Sequence, residues 1–91
     1  MSYEYVEYVL ANYLVAGIGQ SEDEAVSALR TYIESNPDFG ANFRAELQQA
    51  LRDEAYSWKA VLENFDVVAE KDEKTARNYV KILLWDSLFA T

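Results

Sequence analysis

The sequence predicts an all-α fold, a compact bundle of four or five helices forming one domain over residues 1–91. Two observations carry that expectation. Apolar residues recur at spacings of three and four along nearly the whole chain, the signature of helices with one buried face. Three glycines and one proline supply too few turns for a β-rich fold. Hydrophobic residues make up 51% of the chain and charged residues 26%, so the composition is that of a folded domain and not of a disordered segment.

Residues 3–16 read as the first helix, with Val6, Leu10, Tyr13 and Leu14 on one face. Val9, Val15 and Ala16 widen that face until little polar surface remains, which predicts a central helix. Gly17-Ile18-Gly19-Gln20 should end it, because glycine accepts the left-handed backbone of a helix C-terminus. Ser21 with Glu24 three residues on spells a capping box, and Glu22, Asp23 and Glu24 suit the positive end of the helix dipole. Ala25, Val26, Leu29, Tyr32 and Ile33 form the inward stripe of this second helix, which Pro37 stops. A third helix is expected over 40–55 with Phe43, Leu47, Ala50 and Leu51 inward, Asn36 to Gly40 being open to reading as an early helical turn. Trp58, Val61, Leu62 and Phe65 fit a shorter fourth helix. Residues 66–71 have no helical period and read as a connection, with Val67 and Val68 tucked inward. Asp72 caps a last helix over 73–89 whose inward set is Ala76, Tyr79, Val80, Leu83 and Leu84. Ile82, Trp85 and Phe89 make a second apolar face, either sandwiched in the bundle or facing a partner.

Residue types limit the chemistry. With no Cys there is no disulfide and no thiolate, and with no His the commonest general base and metal ligand is absent. Neither a calcium loop nor a phosphate loop is present, and Gly17-Ile18-Gly19 continues into no phosphate-binding pattern. Paired carboxylates occur at Glu22-Asp23-Glu24, Asp53-Glu54 and Asp72-Glu73, but they read as first-turn charges and solvated faces. The chain is therefore expected to be no enzyme and to need no cofactor or metal. The start, Met-Ser-Tyr-Glu-Tyr, is acidic where a secretory signal is basic, and the apolar-rich run Tyr8 to Ile18 is too short to span a bilayer. A cytoplasmic location is expected.

Charge points to binding. Sixteen acids against eight bases give −8, which disfavours nucleic acid and anionic membranes as partners. Residues 1–38 hold seven acids and one base, so most of the net charge lies there, with five of the seven tyrosines. Acids steer a basic partner from a distance, and tyrosine supplies contact area at low entropic cost. Glu4, Tyr5, Glu7, Tyr8, Asp23, Glu34 and Asp38 are the candidate contact residues. Asp23, Ser27, Arg30 and Glu34 share the outward face of the second helix, where Arg30 can pair with Glu34.

The order of features resembles the small α-helical immunity proteins of contact-dependent growth inhibition systems. The matching residues are a Tyr-containing first helix ending near Tyr13-Leu14, then Ser21-Glu-Asp-Glu-Ala-Val, and Leu29 to Tyr32-Ile33-Glu34-Ser35-Asn36-Pro37. Phe43, Glu46-Leu47 and Ala50-Leu51 follow, and Leu83-Leu84-Trp85-Asp86-Ser87-Leu88 closes the pattern. The resemblance implies a cytoplasmic antidote that binds one cognate toxin domain, often a nuclease; separately, the free chain is expected to be a monomer rather than a homo-oligomer. It assigns no individual binding residue. The expected partner is thus a basic toxin domain. The competing expectation is an acidic helical adaptor or regulatory module that pairs through its second apolar face, with another helix or with itself.

Overall fold

The structure is a computed structural model that describes residues 3–15 and 21–89. Ala16 and the turn Gly17 to Gln20 expected to end the first helix lie outside the described residues. Among the described residues there are five α-helices and no strand, as an all-α bundle requires. The radius of gyration is 12.2 Å, against about 12 Å for a compact chain of this length.

Helix α1 (Glu4–Val9) passes directly into a π-helical turn, Leu10–Leu14, so the regular α-helix is shorter than the expected 3–16. Bonding from i to i+5 reduces the rotation per residue, and residues four apart then stack on one side. Leu10 and Leu14 are both buried in this way. Helix α2 (Glu22–Ser35) begins with the expected capping box: the Ser21 hydroxyl accepts from the Glu24 amide, and the Glu24 carboxylate accepts from the Ser21 amide. The bond from the Ser21 amide, and then the Ser21 side chain, favour the ionised carboxylate and hold Glu24 below the usual glutamate range. Ala25, Val26 and Leu29 are buried, whereas Tyr32 and Ile33 are half-buried.

Helix α3 (Pro37–Arg52) starts three residues earlier than expected and ends before 55. Pro37 does not merely stop α2. It occupies the first position of α3, where its missing N–H has no partner to lose. The Gly40 amide then donates to the Asn36 carbonyl at 3.0 Å and begins the ladder. Phe43, Leu47 and Ala50 are buried as expected. α3 packs against α1, α2 and the last helical turn, so it takes the central place expected of the first helix, which exposes Tyr8, Ala11 and Asn12.

Helix α4 (Trp58–Asn64) is capped by Ser57. Trp58 is fully buried, and its indole N–H donates to the Ala50 carbonyl at 3.3 Å, which satisfies its one polar atom. The connection after α4 closes on a Schellman pattern. The Val67 amide donates to Leu62 at 2.9 Å and the Asp66 amide to Glu63 at 3.2 Å, with Asp66 at φ 54° where glycine is usual. Val67 and Val68 are half-buried against the core. Asp72 caps helix α5 (Glu73–Val80) through the Thr75 amide. α5 runs on into a second π-helical turn, Lys81–Asp86. Its i,i+5 geometry accounts for the Lys81–Asp86 ion pair at 3.2 Å and for Ser87 donating to the Ile82 carbonyl. The second apolar face divides. Trp85 and Phe89 pack on the core, with Phe89 5.8 Å from Phe43, while Ile82 is 54% exposed.

Two glutamates cap helices other than their own. One Glu46 oxygen accepts from the amides of Tyr5 (2.8 Å) and Val6 (3.1 Å), and α1 has no side-chain cap of its own. The Glu73 carboxylate accepts from the amides of Trp58 and Lys59 and from the Ser57 hydroxyl, at the start of α4. Burial pushes Glu73 up, but these donors and Arg77 outweigh it, and its carboxyl lies below the usual range. Asp53 accepts from the Tyr3 hydroxyl at 2.6 Å, which lowers its carboxyl and raises the Tyr3 phenol. Several acids expected to be solvated charges are therefore structural hydrogen-bond acceptors.

Candidate functional site

The aromatic residues of the first third converge where α1, the end of α2 and the start of α3 meet. Phe39 is the hub. Its ring lies 5.6 Å from Tyr5, 5.7 Å from Tyr8 and 4.9 Å from Tyr32, at interplanar angles of 62°, 67° and 78°. Three rings thus stand steeply against a fourth, the edge-on arrangement that aromatic quadrupoles favour. Below, Phe39 stacks on the fully buried Phe43 at 6.0 Å and 18°. These four rings and Glu4 line an open groove of about 310 Å³. Tyr8 is the most open of the four rings, 44% exposed.

Local sequence explains the convergence. Tyr5 and Tyr8 are three apart on α1, so they share a side of the helix. Tyr32 stands in the last turn of α2, and the tight Asn36-Pro37 junction starts α3 at once, which places Phe39 beside it. Gly40 allows the close approach: a Cβ there would lie 2.6 Å from Ile33 Cγ2.

Of the seven candidate contact residues, the groove brings together Glu4, Tyr5 and Tyr8. Asp38 is exposed and adjoins Phe39 in the chain; Glu34 and Asp23 are exposed on α2. Glu7 is half-buried and lines no part of the groove, because the Tyr56 hydroxyl donates to it at 3.3 Å. Burial first, and then the Glu7 charge, keep the Tyr56 phenol protonated well above its ordinary range. Phe39 and Tyr32 were not among the candidates. Phe39 lies in the segment left open as an early helical turn, before the expected start of the third helix, and Tyr32 lies on an apolar stripe.

The expected Arg30–Glu34 pair does not form. Arg30 donates instead to the Ser87 carbonyl at 2.7 Å and ties α2 to the end of the chain's last helix. The ion pairs among the described residues are Lys59–Glu63 and Lys81–Asp86, so Glu34 keeps its charge uncompensated.

The bases gather elsewhere. Lys71, Lys74, Arg77 and Lys81 line one groove with Asn78, and Lys81 and Arg52 line a second with Gln48, Leu51 and Trp85. Arg44 lies 5.5 Å above the Trp85 ring. Neither basic groove shares a residue with the aromatic one.

Among the described residues no group of three or more acids is placed to hold a metal ion, and no helix is long and apolar enough to cross a membrane. Comparisons with protein-family models, with curated proteins and with solved structures give no match to this chain.

Proposed function

We propose that the protein is a stoichiometric binder that neutralises a basic toxin domain, a nuclease of a contact-dependent growth inhibition system, in the manner of the immunity proteins its sequence resembles. The observation that carries this reading is the solvent-open groove of Tyr5, Tyr8, Tyr32 and Phe39 with Glu4 at its wall, on the part of the chain that holds most of the −8 charge. Nuclease domains need basic clefts for phosphates. An acidic surface with aromatic anchors can occupy or cover such a cleft. Charge brings the partner on quickly, and the desolvated aromatic contact slows its departure.

Growth is the test. The C-terminal domain of any large secreted protein found to be encoded beside this gene is expressed in a bacterial host with and without the chain. Restored growth together with a one-to-one complex supports the reading. Arrest that persists while the chain is present in soluble excess overturns it.

Exposed Ile82 on the chain's last helical stretch favours a second reading, a helical module that pairs through it. Ile82→Glu would abolish partner binding under that reading and leave it intact under the first.

A further inference from the structure

We propose that the aromatic groove is a cage for one arginine side chain of the partner. This rests on the reading that the partner is a basic protein and names the group that enters. The geometry of the walls is the first ground. Tyr5, Tyr8, Tyr32 and Phe39 all line the one groove, so a group seated in it meets several rings at once. Ring faces carry negative potential and attract a cation within about 6 Å of their centroids.

Charge is the second ground. Glu4 is the one charged side chain in the lining, and no base stands there to oppose an incoming cation. An uncharged apolar side chain would gain area from the rings and nothing from the carboxylate. The third ground is size and readiness. A volume of about 310 Å³ is at the lower limit for ligand pockets, suited to a single side chain. The cage is also held in place from beneath. Phe39 rests on buried Phe43, and the Tyr5 amide is fixed by Glu46. Little ordering is then left for the moment of binding. Guanidinium fits better than ammonium, because its planar, weakly hydrated head stacks on aromatic faces while its edge donates to a carboxylate.

The test uses the whole chain and short capped peptides, Gly-Arg-Gly, Gly-citrulline-Gly and Gly-Lys-Gly, titrated by NMR at low salt. Citrulline keeps the shape of arginine and removes its charge. The arginine peptide is expected to shift the ring signals of Tyr5, Tyr8, Tyr32 and Phe39, with the lysine peptide weaker and citrulline silent. Tyr8→Ala, at an exposed position, should weaken binding by about tenfold, and Glu4→Gln should weaken it by about threefold and flatten its salt dependence. The same spectra report whether each variant stays folded. Equal shifts with citrulline, tighter binding of lysine, or shifts that Tyr8→Ala leaves unchanged overturn the cage. The two readings fail separately. A toxin complex indifferent to Tyr8→Ala removes the cage and leaves the partner class. Arginine binding with no toxin complex leaves the cage and removes the toxin.

Discussion

Gly40→Ala tests the close approach of α2 and α3 that sets the floor of the groove. In an ordinary helix the change is favourable by about 0.5–1 kcal/mol, because alanine has less backbone freedom to lose. Here the new Cβ meets Ile33 Cγ2 at 2.6 Å and Ile33 Cβ at 3.6 Å. Carbon atoms pack at about 3.5–4.0 Å, so the helices must part by roughly 1 Å or Ile33 must turn. Ile33 is β-branched and held to one main rotamer in a helix, so turning is costly. Overpacking of this kind costs about 1–3 kcal/mol. The net expectation is a loss of about 0.5–2 kcal/mol, read from urea unfolding followed by circular dichroism. In an Ile33→Ala background the clashing methyl is gone, and the same Gly40→Ala change should stabilise by about 0.5–1 kcal/mol. A stabilising Gly40→Ala in the unaltered chain would refute the close approach.

Glu46→Ala should cost about 1 kcal/mol by leaving the Tyr5 and Val6 amides without their acceptor, measured by the same unfolding curves. Asp66→Gly should stabilise by about 0.5–1 kcal/mol, since φ 54° is a left-handed conformation that glycine adopts without strain. Acid should destabilise the fold in a defined window. Glu24, Asp53, Asp72 and Glu73 bind protons less readily folded than unfolded, so their contribution is complete above the ordinary values of 4.5 and 3.8. It drains away as pH falls through the lower folded values. Tyr56 and Tyr79 act in the opposite sense: their raised phenols contribute fully below 10.0, and that contribution is lost as pH climbs through the folded values. A melting temperature unchanged from pH 6 down to pH 2.5 would contradict the acid arm.

Much of the fold was legible because its signals are local. The Ser21–Glu24 box, the Asp72 cap and the stripe of Ala25, Val26 and Leu29 depend on residues within one or two turns. So do Phe43, Leu47 and Ala50 on α3. What escaped was of two kinds. The π-helical turns break the 3.6-residue wheel, so Lys81 and Asp86 become neighbours and Trp85 turns toward the core. Long-range acceptors carry no local pattern: Glu46 caps a helix 40 residues away, and Asp53 holds Tyr3 across 50. The site was half legible. Glu4, Tyr5 and Tyr8 followed from charge and tyrosine content, but Phe39 did not. Its importance comes from Pro37 opening α3 three residues before the expected start, in the stretch left open as an early helical turn.

The central claim is that an acidic, aromatic surface binds a basic partner. Its most direct measurement is calorimetric titration of the chain against the proposed partner, a basic nuclease toxin domain, at low and high salt, repeated with Tyr8→Ala. The account predicts a one-to-one complex that weakens steeply with salt and loses about 2 kcal/mol or more of affinity with Tyr8→Ala. A complex that neither salt nor Tyr8→Ala weakens would contradict it.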